Sequence, residues 1–295
     1  MKIFIFPFSV PKDVLRILAA AFTMKIVKKT VGLTFNAINK KFPVRFMIRG
    51  VKYSFQILDC TNFIAVSEIF SRNIYSIFLP EQNWVIIDAG SNIGCFTLWA
   101  NYQANEKCKM VAIEPEPENF KVLSANISSN NISNVTLLNV ALGEKEGFCL
   151  VSGKGIQSKV ESILPDSLDG ETLLKLNSSN VNRIKQSVVR IESLNLISRD
   201  LEMNFVDLLK MDVEGAELTV LKSANELLES HKIRRIIMET HSEILHSMCE
   251  NFLINLGYNI LLSKWTKFGT GMLAAIVAKP GNQLMTGSEH KFVKQ

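Results

Sequence analysis

Short apolar runs alternate with longer amphipathic stretches along the middle of the chain. Val85-Ile86-Ile87, Met110 to Ile113, Val135 to Leu142, Val206 to Met211 and Arg235 to Met238 read as buried strands, being short, rich in β-branched residues and bounded by polar or turn residues. Between them the apolar positions recur three or four residues apart. That spacing predicts a helix starting at Cys95, one from Pro117 to about Asn130, one from Gly215 to about Glu229, and one from Ser242 to about Leu256. Strands separated by helices predict an α/β fold of Rossmann-like type with a mostly parallel sheet. Asn259–Trp265 and Gly271–Lys279, joined by a short connection, predict a terminal strand pair with one antiparallel edge strand. Phe148–Ser152 and Ser187–Leu194 read as further strands, the former beside Val135–Leu142. Gly153 to Asn182 is polar and irregular, and such long loops are uncommon unless functional.

Ahead of the sheet, Phe42 to Ile57 alternates around Gly50 and predicts a hairpin, and Asn62 to Phe78 a helical run. The chain therefore divides into an arm and cap (1–80), a sheet domain (81–280) and a frayed tail (281–295). Within the arm, Asp13 to Lys29 can form a helix with Val14, Leu15, Leu18 and Phe22 on one face. No run reaches the roughly 18 apolar residues of a membrane span. Pro7, Pro11, Lys12, Asp13 and Arg16 interrupt any signal-peptide core.

Charge and cysteines sharpen this picture. A 47% hydrophobic content can fill a full core. The net +5 splits unevenly: residues 1–50 carry +9 and the remainder −4. A basic arm suits an anionic surface. With no base-reading motif, the expectation is peripheral contact with an anionic membrane rather than nucleic acid. The alternative is that Leu15, Leu18 and Phe22 pack on the domain and the lysines are merely solvated. Five scattered cysteines without a Cys-x-x-Cys pair suggest neither zinc nor disulfides, and so a reducing, cytoplasmic setting.

Candidate chemistry gathers at the strand ends. Asp88-x-Gly90-x-Asn92-x-Gly94 joins a strand to a helix, the position where glycine loops hold nucleotides. It lacks the middle glycine of the dinucleotide fingerprint and carries a carboxylate. A carboxylate repels a pyrophosphate and suits a cationic ligand, so the loop favours S-adenosylmethionine over NAD. Glu114 ends the next strand, where an acid can accept both hydroxyls of a ribose. Glu116 and Glu118, at a helix start, read as structural. Asp212, Glu214 and Glu217 cluster at the end of a buried strand. Asp212 can face the ligand's ammonium or the substrate, and Glu217 can cap the helix or bind. A divalent metal is a rival use for these oxygens, but the spacing matches no dedicated loop, so no metal is expected. Glu239 and His241 share one side of the last parallel strand end, so His241, oriented by Glu239, is the candidate base for a hydroxyl proton.

These residues together resemble the FkbM-type methyltransferases. The likeness rests on the Asp88–Gly94 loop, Ile113-Glu114-Pro115, Asn139-Val140-Ala141-Leu142-Gly143, Leu209 to Glu217 and Met238-Glu239-Thr240-His241. It runs from about Phe55 to Lys279, and Asp212-x-Glu214-Gly215-x-Glu217 is its most specific part. The resemblance implies a seven-stranded Rossmann-like sheet, S-adenosylmethionine as cofactor, and O-methylation of a hydroxyl on a small molecule, sugar or glycan. By position, Asp88, Gly90, Asn92 and Gly94 would hold the methionyl end, Glu114 the ribose, and Ala141 and Leu142 would bound the adenine. The other classes to weigh are an NAD(P)-dependent dehydrogenase and a catalytically silent, membrane-associated partner.

Overall fold

A computed structural model describes residues 32–35, 42–48, 51–57, 62–152, 159–163, 186–266 and 269–278. The expectations for the arm helix, most of the 153–182 stretch and the tail fall outside the described residues.

A seven-stranded sheet organises the molecule. Its parallel half comprises β4 (Val85–Ala89), β5 (Lys109–Ile113), β6 (Val135–Leu138), β11 (Leu208–Met211) and β12 (Arg235–Thr240). β13 (Tyr258–Trp265) and β14 (Gly271–Val277) complete it in the order β13-β14-β12-β11-β4-β5-β6. The one antiparallel strand was expected at the edge. It is β14, one place in, paired to β12 on one side and β13 on the other. The terminal hairpin folds its second strand inward because that strand is the more apolar: Leu273, Ala274 and Ala275 are fully buried, whereas β13 is buried only at Tyr258 and is otherwise half-buried or exposed.

Both faces of the sheet are covered, as a parallel sheet requires. Ile86, Met110, Leu208 and Ile237 pack on one face against Phe96, Leu98 and Trp99 of α2 (Cys95–Gln103) and against α3 (Pro117–Ser129). Ile87, Val111, Leu209 and Ile236 pack on the other against α4 (Leu194–Asp200), α5 (Glu217–Ser223), α6 (Asn225–Glu229) and α7 (Glu243–Asn255). Glu116 caps α3 by accepting from the Asn119 amide at 2.8 Å, with Pro117 at the first turn.

Two single elements of the sequence reading are split. Val135–Leu142 is not one strand: it divides after Leu138, and β7 (Ala141–Leu142) joins a second sheet with β8 (Gly147–Ser152), β9 (Lys159–Ile163) and β10 (Gln186–Glu192) in the order β7-β10-β8-β9. Asn139 makes the break, donating to the carbonyls of Glu114 (2.8 Å) and Pro115 (3.0 Å). β8 therefore pairs with β10 and β9, not with β6. The run from Gly215 to Glu229 is likewise two short helices meeting at Ala224.

Towards the N-terminus, β2 (Phe42–Ile48) and β3 (Val51–Ile57) form the expected hairpin, and β1 (Gly32–Phe35) adds a third antiparallel strand. Part of the basic arm is thus sheet. The Asn62–Phe78 run begins as α1 (Asn62–Val66), continues as a π-helical turn over Ser67–Ser71, and ends in turns.

Candidate active site

The parallel strands end together on one side of the sheet, and a cavity opens there, about 880 Å³ with its mouth included. Its wall holds Gly90, Ser91 and Asn92 after β4, Glu114 after β5, Val140, Ala141 and Leu142 at β7, and Lys210, Asp212 and Glu214 at β11. Tyr75, Phe96 and Ile69 close another side. Of the residues the sequence singled out, Gly90, Asn92, Glu114, Ala141, Leu142 and Asp212 therefore meet in one cavity. Asp88, Gly94, Glu239 and His241 are not on its wall.

Glu114 is 4% exposed and held in one orientation by three donors. Oε2 accepts from the Asn92 amide at 2.8 Å, and Oε1 from the Glu116 amide at 3.1 Å and Asn119 Nδ2 at 3.2 Å. A carboxylate accepts about four hydrogen bonds, so Oε2 retains capacity for a hydroxyl donor. Burial raises the Glu114 pKa to about 7, opposed by those same hydrogen bonds. Asn92, with φ of 51°, turns its side chain back to cap the Ile93 amide at 2.8 Å. The left-handed turn thereby aims its own amide at Glu114.

Asp88 does not face the cavity as expected. It is fully buried. Oδ2 accepts from Thr97 Oγ1 at 2.6 Å, and Oδ1 pairs with Lys210 Nζ at 3.0 Å. Lys210 is the cavity's cation: Nζ also donates to the Gly90 carbonyl at 2.9 Å and lies near the Tyr75 and Phe96 rings. Burial would lower the lysine's pKa, but the charges of Asp88 and Asp212 more than offset it and hold it above the ordinary value. Asp88 is thus paired within the fold, and the carboxylates that line the cavity are Glu114, Asp212 and Glu214. Lys210 was overlooked, yet a signal was present. Asp88 and Lys210 are register partners on adjacent strands, and two opposite charges inside apolar strands must find one another.

The candidate base is also arranged differently. His241 Nδ1 donates to Glu217 Oε1 at 2.6 Å, not to Glu239. Glu217 is fully buried and also accepts from the Gly215 amide at 2.9 Å. His241 Nε2 lies 3.7 Å from Asp212 Oδ1 and 3.5 Å from Glu214 Oε2. Burial would depress the imidazole, but the Glu217 hydrogen bond and then the Asp212 and Glu214 charges lift it to about 9. The carboxylates set around the ring are therefore Glu217, Asp212 and Glu214 rather than Glu239. The alternation argument failed because β12 ends at Thr240, so His241 no longer follows strand geometry. Glu239 stands near enough to feel Asp212 and His241; burial first, then Asp212, raises it to about 7.

Among known proteins, the Methyltransferase FkbM domain model matches residues 88–260. The chain is 30% identical over 189 residues to Methyltransferase sdnD of Sordaria araneosa, covering 59% of this chain and 72% of that protein. It is 25% identical over 166 residues to Methyltransferase 1 of Beauveria bassiana, covering 54% and 66%. Among solved structures, it is similar to Methyltransferase FkbM from Methylobacillus flagellatus KT, with 17% identity and a TM-score of 0.48. That match takes in 71% of this chain and 47% of the other, so the chain spans about half the length of that protein.

Proposed function

The chain belongs to the FkbM methyltransferase family and uses S-adenosylmethionine, and from that premise we propose that it methylates a hydroxyl of a small molecule, sugar or glycan. The observation that carries the reading is the cavity itself, which sets Glu114 and Asp212 on either side of the Gly90–Asn92 loop. Glu114, with acceptor capacity left on Oε2, suits the ribose of the donor. Val140, Ala141 and Leu142 give the adenine an apolar wall. The Lys210 ammonium suits the methionyl carboxylate, and Asp212 suits the cationic end. Bound there, the donor supplies an activated methyl group on a sulfonium.

The protein's own part is to align and to handle one proton. Asp212 accepts the hydrogen bond of the attacking hydroxyl and takes its proton. The bound donor would supply the methyl group to that oxygen and leave as a neutral thioether. Alignment for such an in-line displacement contributes much of the acceleration. Asp212 and Glu214 make this end of the cavity an acceptor of hydrogen bonds. That favours polyhydroxylated over anionic acceptors. The basic stretch before β1 extends the proposal: it brings the enzyme to an anionic membrane surface, where lipid-linked glycans are presented. No helix among the described residues is long and apolar enough to cross a membrane.

The test is a labelled-methyl assay with sugar, polyol, amine and thiol acceptors, the product linkage read by NMR. An O-methyl ether on a neutral polyol is the expected product. Methyl transfer to nitrogen or sulfur alone would overturn the hydroxyl assignment.

A further inference from the structure

We infer that Asp212, Glu214 and His241 form a divalent-cation site at the reacting end of the cavity. Each offers one ligand atom, and the three atoms lie within 4.8 Å of one another. The separations of 3.7 Å and 3.5 Å from His241 Nε2 to the two carboxylates are long for hydrogen bonds. They suit two ligands sharing one ion: bonds of about 2.1 Å at angles of roughly 110–125° span these lengths. Two carboxylates and an imidazole suit Mn²⁺, Fe²⁺ or Zn²⁺.

The surroundings point the same way. A ligating histidine almost always gives its other nitrogen to a carboxylate, which fixes the ring and leaves the first nitrogen for the metal. Glu217, wholly buried, does this for Nδ1 at 2.6 Å. A second observation sits behind the ring: Glu217 Oε2 is buried and has no hydrogen-bond partner among the described residues. A buried carboxylate oxygen left without a donor calls for an explanation, and a cation held through His241 supplies the compensating charge. No metal was expected from sequence, because the spacing of Asp212, Glu214 and Glu217 matches no dedicated metal-binding loop.

This inference rests on the methyltransferase reading and deepens it. Coordination positions left open toward the cavity would take the acceptor hydroxyl. A bound cation would then lower that hydroxyl's pKa and restrict acceptors to those presenting a hydroxyl with a neighbouring oxygen.

The experiment is a Mn²⁺ titration of the metal-stripped, full-length protein, read by loss of the free-ion EPR signal. Calorimetry with S-adenosylmethionine and circular dichroism are run on the same samples. One ion per chain is expected, with affinity weakened about 10–100-fold in His241→Ala and Glu214→Gln and unchanged in the remote control Glu106→Gln. Folding and donor binding should persist in the His241 variant. Absence of Mn²⁺ binding, or binding indifferent to both variants, overturns the site and leaves His241 as an imidazolium held by ion pairs. If the donor still binds in that case, the methyltransferase reading stands and only the metal fails. If the wild-type donor isotherm is flat, it is that reading which fails.

Discussion

Glu114 should make donor binding depend on pH. In the proposed role, ribose hydroxyls would donate to its ionised form, whereas burial favours the protonated form and sets the midpoint at about 7. Glu116 is the other ionisable group whose charge it feels. Below that midpoint, binding must first expel a proton. Affinity should therefore rise with pH up to about 7 and level off above, by about tenfold per unit at the steepest. Calorimetry from pH 5.5 to 8.5 checks this. Glu114→Gln should flatten the profile and weaken binding by about 1.5–3 kcal/mol; an unchanged profile in that variant would remove Glu114 from the ribose site. The Asp88–Lys210 pair is a matter of stability instead. Lys210→Met leaves a fully buried carboxylate without its cation, which should cost about 3–5 kcal/mol. Adding Asp88→Asn should restore much of that loss in urea denaturation, because a neutral amide can still bond Thr97. Additive losses would mean that the pair is not coupled.

The element that sets the geometry is the turn after β4, and its first glycine serves the sheet before it serves a ligand. Gly90 has φ of 74°, and a Cβ there would sit 1.8 Å from the Asp212 carbonyl oxygen. The loops after β4 and β11 thus touch backbone to backbone, which fixes the distance between them. Gly90→Ala must separate them. It should lower stability by at least about 2 kcal/mol and weaken donor binding in the same variant. Donor binding at wild-type affinity in a destabilised Gly90→Ala would show that the loop spacing is not what sets the site. The turn also marks how far the sequence could be read. Its strand, its helix and the parallel order followed from local apolar period, and Glu114 reached the cavity because a strand end has only one place to go. The contacts of Asp88 and His241 were not legible because their partners, Lys210 and Glu217, are set by register and by a strand ending one residue early. The split after Leu138 was hidden for a similar reason: it depends on Asn139 bonding a loop 24 and 25 residues earlier.

At the scale of the whole molecule, the charge is divided between a mildly acidic sheet domain and a basic N-terminal stretch. The sheet formed by β1, β2 and β3 takes up residues 32–35, 42–48 and 51–57, so the basic segment considered for a surface is 1–31. It holds six Lys or Arg against Asp13 alone, beside Phe4, Phe6, Phe8, Leu15, Leu18 and Phe22. Basic residues near an anionic bilayer contribute about 1 kcal/mol each, so half of them engaged would retain the enzyme there weakly and reversibly. Apolar burial would add to this without any preference for base or sequence. Because exposed charges are screened within about 8–10 Å at physiological salt, the attraction should fade as salt rises. Co-sedimentation with vesicles decides it. Pelleting with phosphatidylserine-containing but not pure phosphatidylcholine vesicles is expected, reduced by 0.5 M salt (about a 4–5 Å screening length) and abolished by deleting residues 1–30. The truncated enzyme should keep its affinity for S-adenosylmethionine, since Gly90, Asn92, Glu114 and Asp212 all lie outside the deletion. Equal pelleting with both lipids, or no change on deletion, would mean that Leu15, Leu18 and Phe22 pack on the catalytic domain and the lysines only solvate it.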